Sequence, residues 1–261
     1  MDATLPPLAD LGSDLLHVPR WRRAINLATP FVFAAAFFVF ASRGLWIFAL
    51  ACPVALSFVT YGSISHDLVH RTLALPRWLN ETLLSAIELL TFRSGHAYRV
   101  THLHHHAHFP AADDLEGAAA AMPFWRAALD GITLQPRLYA FALKKSHDRA
   151  WIIGEGIAIV AMLIASSLSF ATAIYAAMMI AGSWIFPLVT AYAPHDVHGT
   201  SEITQTRLYR GTFLRLIALD HLYHLEHHLY PQVPHQRWPE LARRLDPLFA
   251  RIGLKPIKLW I

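Results

Sequence analysis

Between positions 151 and 193 the chain carries a single charged side chain, Glu155. That stretch is too long for one helix in a soluble core, and long enough for two lipid-crossing helices of roughly 20 residues each. The small polar cluster Ser166-Ser167-Leu168-Ser169 divides it, so spans are expected at about 151–168 and 171–193. Two further uncharged runs, at about 24–41 and 45–64, meet at Arg43-Gly44 and form an earlier pair. Pro53 inside the second run is tolerable where neighbouring helices satisfy the freed backbone groups. Composition agrees: 55% of the 261 residues are hydrophobic and 15% charged, against about 45–50% and 25% in an average soluble chain. So little charge, with 12% aromatics, excludes intrinsic disorder. The lone cysteine, Cys52, excludes a disulfide scaffold. The expected fold is all-α: one polytopic membrane domain over 1–261, with four transmembrane helices in two hairpins.

A fifth apolar run, 79–92, is short for a crossing and contains Glu81 and Glu88, which suits a re-entrant or interface helix. Arg43 alone lies between the first two spans, and no Lys or Arg lies between the last two. By the positive-inside rule both hairpins then enter from the cytoplasm and return to it, leaving both termini and the middle segment cytoplasmic. The net charge of +4 therefore belongs to membrane flanks, and no nucleic-acid partner is expected. Arg20, Arg22 and Arg23 open a full-length span with no small-residue cleavage site, so no cleavable signal peptide is expected.

Most of the 17 histidines fall in clusters beside these spans. In His66-Asp67-Leu68-Val69-His70 the two imidazoles are four apart and share a helix face. In His102-Leu103-His104-His105-His106-Ala107-His108, residues His102, His105 and His106 share a face while His104 points away. The same spacing recurs at His224, His227 and His228, inside Asp220-His221-Leu222-Tyr223-His224-Leu225-Glu226-His227-His228. His221 belongs to an alternative set with His224 and His228. After the last span, His195 or His198 offers one more ligand, with His195 preferred because it lies closer to the span.

Nine imidazoles exceed the roughly four to six ligands of one ion, which implies two metals with open positions. A structural zinc would recruit cysteine and close its shell, so an all-nitrogen shell with vacancies fits redox iron better. Asp67, Asp196, Asp220 and Glu226 stand beside the histidines as acceptors that could orient imidazole N–H groups. For Asp67 and Asp220, helix capping or salt bridging is an equal reading.

At these residues the sequence resembles the membrane fatty acid desaturase superfamily, which also contains carotenoid ring hydroxylases and ketolases. The resemblance rests on HDLVH at 66–70, HLHHH at 102–106, HLEHH at 224–228 and LYPQVPHQRWPEL at 229–241. It implies a four-span bundle under a cytoplasmic helical cap holding two irons. It further implies O2 as co-substrate and two electrons from a donor such as ferredoxin or a cytochrome b5-type protein. The target would be an unactivated C–H bond of a lipid. The histidines of the three boxes would be the iron ligands, with His195 as the ninth. Desaturation of a fatty acyl lipid is the leading expectation and β-carotene ring ketolation or hydroxylation the second. The chain's compactness and its Ala-Pro-His stretch at 193–195 look more like the ketolases. A membrane zinc hydrolase is remote, because no HExxH is present. A metal transporter would place histidines at mid-span.

Three further features carry expectations. Glu155, an ionisable group in a span, is a functional suspect, or it snorkels or pairs with Lys144 or Arg149. Trp46, Phe58, Tyr61, Trp184 and Phe186 are candidates for the wall of a substrate tunnel, with bundle packing or lipid contact as the plainer reading. Arg243, Arg244, Lys255 and Lys258 form a basic tail that faces solvent or lipid, or docks an acidic electron donor.

Overall fold

A computed structural model describes residues 4–211 and 222–259. The described residues are helical apart from turns and one short parallel strand pair, Tyr209–Arg210 with Ile257–Lys258. Pro19, with φ near −53°, sets up the first turn of α1 (Arg20–Ser42). A tight turn at Arg43-Gly44 leads into α2 (Trp46–Val59), and Gly44 takes the left-handed conformation there. α1 packs along α2, α2 against α8 (Phe170–Ser183), and α7 (Arg149–Ser166) against α8. Phe37, Cys52, Leu56, Tyr175 and Met179 form the core between them.

Among the described residues, four helical stretches are long and apolar enough to cross a membrane: Ser13–Ser42, Trp46–His70, Arg149–Ser166 and Phe170–Tyr192. Large apolar side chains on their outer faces, including Ile47, Phe48, Ile157 and Ile164, are exposed. An aqueous protein would not leave so continuous an apolar surface uncovered.

The second stretch is not straight. Tyr61 is extended and Gly62 has φ +69°, so the chain leaves the axis of α2 before re-entering a helix as α3 (Ser65–His70). Only glycine adopts that conformation without steric cost. Thr60 and Ser63 hydroxyls donate to the Leu56 and Val59 carbonyls and satisfy acceptors at the break. The kink re-aims the first histidine pair.

α4 (Arg77–Leu89) covers most of the run at 79–92. Its 13 residues span about 20 Å. It buries Asn80, Glu81, Ser85 and Glu88 on the side towards its neighbours and leaves Trp78, and in part Leu79 and Leu83, on the other. It packs against α3 and α5 (Gly95–His108), where cationic partners await its carboxylates. Ser94 caps α5, its hydroxyl accepting from the Ala97 N–H at 3.0 Å.

α6 (Phe124–Lys145) lies in the segment read from sequence as a basic cytoplasmic connection. Its exposed face carries Trp125, Leu129, Ile132, Thr133, Pro136 and Ala140. The spacing is helical and the stripe uncharged, which is the pattern of a helix meeting lipid. On its other side α6 packs against α5 and α7.

The terminal segments build a second core. Leu225 and Tyr230 pack with Trp238, Leu241, Leu245 and Phe249 of α10 (Trp238–Arg251), and with Leu11 and Leu15 near the start of the chain. Arg244 of α10 holds Asp14 through two hydrogen bonds of 2.8 and 2.7 Å. This core carries α9 (His224–Leu229), the helix of the third histidine box.

Candidate metal centre

α3, α5 and α9, with the residue after the last span, bring nine imidazoles into two groups. One contains His66, His70, His102, His106 and His227; the other contains His105, His195, His224 and His228. Within each group the candidate ligand atoms lie within 4.8 Å of one another. These are the three boxes and His195. His104 faces outward onto Asp113 at 3.1 Å and His108 stacks on His104. His198 is outside both groups, in an exposed turn where its N–H donates to Asp196. Asp220 and His221 lie outside the described residues.

The spacing of the imidazole nitrogens tests whether the groups fit a metal. In the first group the contacts are His66–His227 at 2.9 Å, His66–His102 at 3.0 Å, His102–His106 at 3.2 Å and His106–His227 at 2.7 Å, all Nε2 to Nε2. In the second, His105–His195 and His195–His228 are 3.2 Å, His195–His224 is 3.3 Å and His224–His228 is 3.0 Å. Ligands about 2.1 Å from one ion and at right angles to each other lie about 3.0 Å apart. In neutral imidazoles, His105 and His195 donate from Nδ1 to Asp114 and to the Ala191 carbonyl, so their Nε2 lone pairs face each other. A cation between them turns that repulsion into coordination. His70 Nε2 is buried with no hydrogen-bond partner, as an atom awaiting an ion would be. The residues fit two metal ions.

Electrostatics agree. Burial, reinforced by neighbouring imidazoles, holds His102, His106, His195, His227 and His228 well below the ordinary histidine value, in the neutral form that ligates. His105 differs: burial, the largest influence, opposes its charge, but its hydrogen bond to Asp114 and the nearby Asp114 and Glu116 carboxylates together raise it.

Among the described residues, two acids not expected from sequence orient these rings. His102 Nδ1 donates to Glu116 Oε1 at 2.7 Å, and His105 Nδ1 donates to Asp114 Oδ2 at 2.7 Å. Each group thus has its own carboxylate, and both come from the loop after α5. Burial pushes the Glu116 carboxyl up to about 8. Asp114 also accepts from the Gly117 N–H at 2.9 Å, and a Cβ at Gly117 would strike the Asp114 carboxylate, Phe109 and His105.

Asp67 accepts instead from the His235 backbone and Nδ1, at 2.9 and 2.6 Å. Glu226 pairs with Arg210 at 2.6 Å. Both face away from the two groups because stronger donors stand on their other side; Asp67 ties the first box to the Val-Pro-His stretch, and Glu226 ties the third to the strand pair. The signal that could have found Asp114 and Glu116 is the Asp-Asp-Leu-Glu-Gly run just past the second box.

Behind α5 lies a buried polar network. Glu155 of α7 accepts from Ser94 Oγ at 2.5 Å, from the His96 N–H at 3.2 Å and from His96 Nδ1 at 2.7 Å. It neither snorkels nor pairs with Lys144 or Arg149. His96 Nε2 reaches Glu81 at 3.0 Å, and Glu81 also pairs with Arg99. Arg99 donates to the Leu68 carbonyl at 2.9 Å and the Val69 carbonyl at 3.2 Å, so α5 grips the end of α3.

A cavity of about 650 Å³ reaches Glu116 and Tyr98, which touch His102 of the first group. Its wall includes Tyr61, Arg93, Tyr98, Glu116 and Leu134 inside, and Pro136, Ile157 and Val160 of α6 and α7 towards the outside. Of the five aromatic candidates Tyr61 lines it, and Phe186 backs Tyr61 with ring centroids 3.6 Å apart. Trp46 instead packs edge-on to Phe170, and Phe58 and Trp184 are exposed.

A family model described as fatty acid desaturase matches residues 41–260. The chain belongs to the fatty acid desaturase family. The match runs from the end of α1 past α10 and so includes all three boxes, His195 and both orienting acids of this desaturase-family centre. A search of curated proteins finds no match.

Proposed function

We propose that this is a membrane-bound, O2-dependent di-iron oxidoreductase acting on an unactivated C–H bond of a lipid. The observation that carries the reading is the apolar cavity of about 650 Å³ ending against Glu116, the residue that orients His102. Such a pocket buries an extended hydrocarbon and leaves its inner end beside the imidazoles. His66, His70, His102, His106 and His227 would hold one iron, and His105, His195, His224 and His228 the other. The irons would supply activation of O2 and the oxidising power that C–H removal needs.

The protein's own residues do the rest. Asp114 and Glu116 fix the tautomer and plane of one imidazole in each group. Tyr61, Tyr98 and Leu134 line the cavity and keep the reacting carbon away from water. The gap between α6 and α7, edged by Pro136, Ile157 and Val160, offers a way in from the bilayer. Two hairpins with a cytoplasmic cap fit the arginine and lysine distribution, and place the centre where a ferredoxin or cytochrome b5-type donor could deliver electrons.

Acyl desaturation is the leading reaction, and oxygenation of a carotenoid ring the second; the Ala-Pro-His stretch at 193–195 favours the second. Expression in a host making both acyl lipids and β-carotene, with mass analysis of each, tests the pair. Loss of two hydrogens from acyl chains supports desaturation, and added oxygen in the carotenoid supports ketolation or hydroxylation. About two irons per purified chain is expected, and stoichiometric zinc from unsupplemented native cells would defeat the reading.

A further inference from the structure

The cavity has two chemically different ends. Its outer wall, Ile153, Ile157 and Val160, is apolar, and those side chains are 49%, 66% and 57% exposed. Its inner wall contains Glu88, Arg93, Ser94 and Glu116, each at least nine-tenths buried. Arg93 Nε and one terminal nitrogen donate to Glu88 at 2.8 and 3.1 Å, and its guanidinium lies over the Tyr61 and Phe186 rings. A guanidinium has five N–H donors, so this pairing leaves others for the cavity. Glu116 Oε1 is engaged with His102, while Oε2 is buried with no hydrogen-bond partner.

We propose, building on the function given above, that the substrate is an elongated apolar molecule whose leading end carries a hydroxyl or carbonyl oxygen. That end enters first, meets Arg93 and Glu116, and reacts beside the imidazoles, while the hydrocarbon remains towards the bilayer. A plain hydrocarbon end would strip water from the guanidinium and leave the Glu116 oxygen without the partner it lacks, which is costly for buried polar groups. An oxygen at that end replaces the lost water. A lipid entering methyl end first would place its apolar part against the charged wall and its polar head along Ile153, Ile157 and Val160.

Equilibrium binding to the detergent-solubilised protein, held in excess iron so that every variant keeps both ions by elemental analysis, tests this with two matched pairs: octadecane against octadecan-1-ol, and β-carotene against its ring-hydroxylated diol. Ile157→Trp, at the outer wall, reports whether binding is in the cavity. The oxygenated member of at least one pair should bind about tenfold more tightly, the scale of a hydrogen bond to a charged group. That preference should fall below about twofold in Glu116→Ala or in the charge-neutral double variant E88Q/R93M, which removes both buried charges together. Glu116→Ala keeps the test available if the double variant fails to fold.

Equal binding within both pairs, still blocked by Ile157→Trp, overturns the inference and leaves the proposed function standing. A preference that survives in every folded variant also overturns it, because the inner wall would then not be its source. Failure of all four compounds to bind, or binding indifferent to Ile157→Trp, overturns both.

Discussion

Glu155, the one charged side chain between positions 151 and 193, holds both the backbone N–H and Nδ1 of His96, at 3.2 and 2.7 Å. The bond joins a lipid-length helix to the start of the helix carrying the second histidine box. Removing the carboxylate leaves His96 and Ser94 buried without their acceptor, a loss of about 1–3 kcal/mol. We expect Glu155→Leu to lower Tm in detergent by several degrees, and Lys144→Ala and Arg149→Ala to leave it unchanged. Thermal melts of the three variants check this; an unshifted Glu155→Leu would remove the network's structural role.

Asp114 and Glu116 each orient a ring in a different group. Replacing such an acceptor weakens metal affinity by about 10–100-fold. Asp114→Asn should release iron held by His105, His195, His224 and His228, and Glu116→Gln iron held by the other five. Chelator titrations followed by elemental analysis should then show about one retained iron in each variant at concentrations where the parent keeps two.

His105→Ala and His227→Ala should abolish turnover while the protein still inserts in membranes. His104→Ala and His198→Ala should keep most activity, since both residues stand outside the two groups. An equal loss at His104 would mean that the wrong face of α5 was assigned.

Acid should destabilise the metal-free protein. Five imidazoles have folded-state values pushed below the ordinary 6.5, by burial first and then by one another. Between that value and the lower folded ones the unfolded chain binds more protons, so stability rises with pH. It is fully present above about 6.5 and drains away as pH falls below it. His105, Glu116 and Glu226, whose folded values are raised, contribute with the opposite sign and offset part of the loss. Tm of the apoprotein should therefore drop between pH 7.5 and 5.5, and a flat or rising profile would contradict the burial of these rings.

The exposed stripe of α6 should face lipid. Spin labels on single cysteines at Leu129, Ile132 and Pro136, in a Cys52→Ser background in nanodiscs, should collide with dissolved O2 more than with a water-soluble nickel complex. A label at Arg126 should show the reverse. Nickel-dominated collisions along the stripe would place α6 in water.

The boxes could be read from sequence because imidazoles at i, i+3 and i+4 declare their common face, and the apolar runs because lipid demands length. Asp114 and Glu116 left only the acidic run past the second box as a trace, since a turn and not a helix returns them to His105 and His102, and no period marks such a return. Asp67 and Glu226 misled for the converse reason: adjacency along the chain gave them histidine neighbours, while His235 and Arg210 offered better-placed donors from farther away. α6 was hidden by Arg126, Asp130 and Arg137, charges that run along the flank of the uncharged stripe and break its pattern in the sequence. The kink at Gly62 was invisible because hydropathy runs straight through it.

Each histidine group draws rings from two separately packed cores. α3 and α5, locked together by Arg99, supply one part, and α9, seated among the two chain ends, supplies the other. An ion in either group would thus be a rivet between these two parts of the protein, and loading metal would stiffen the whole fold as well as complete the site.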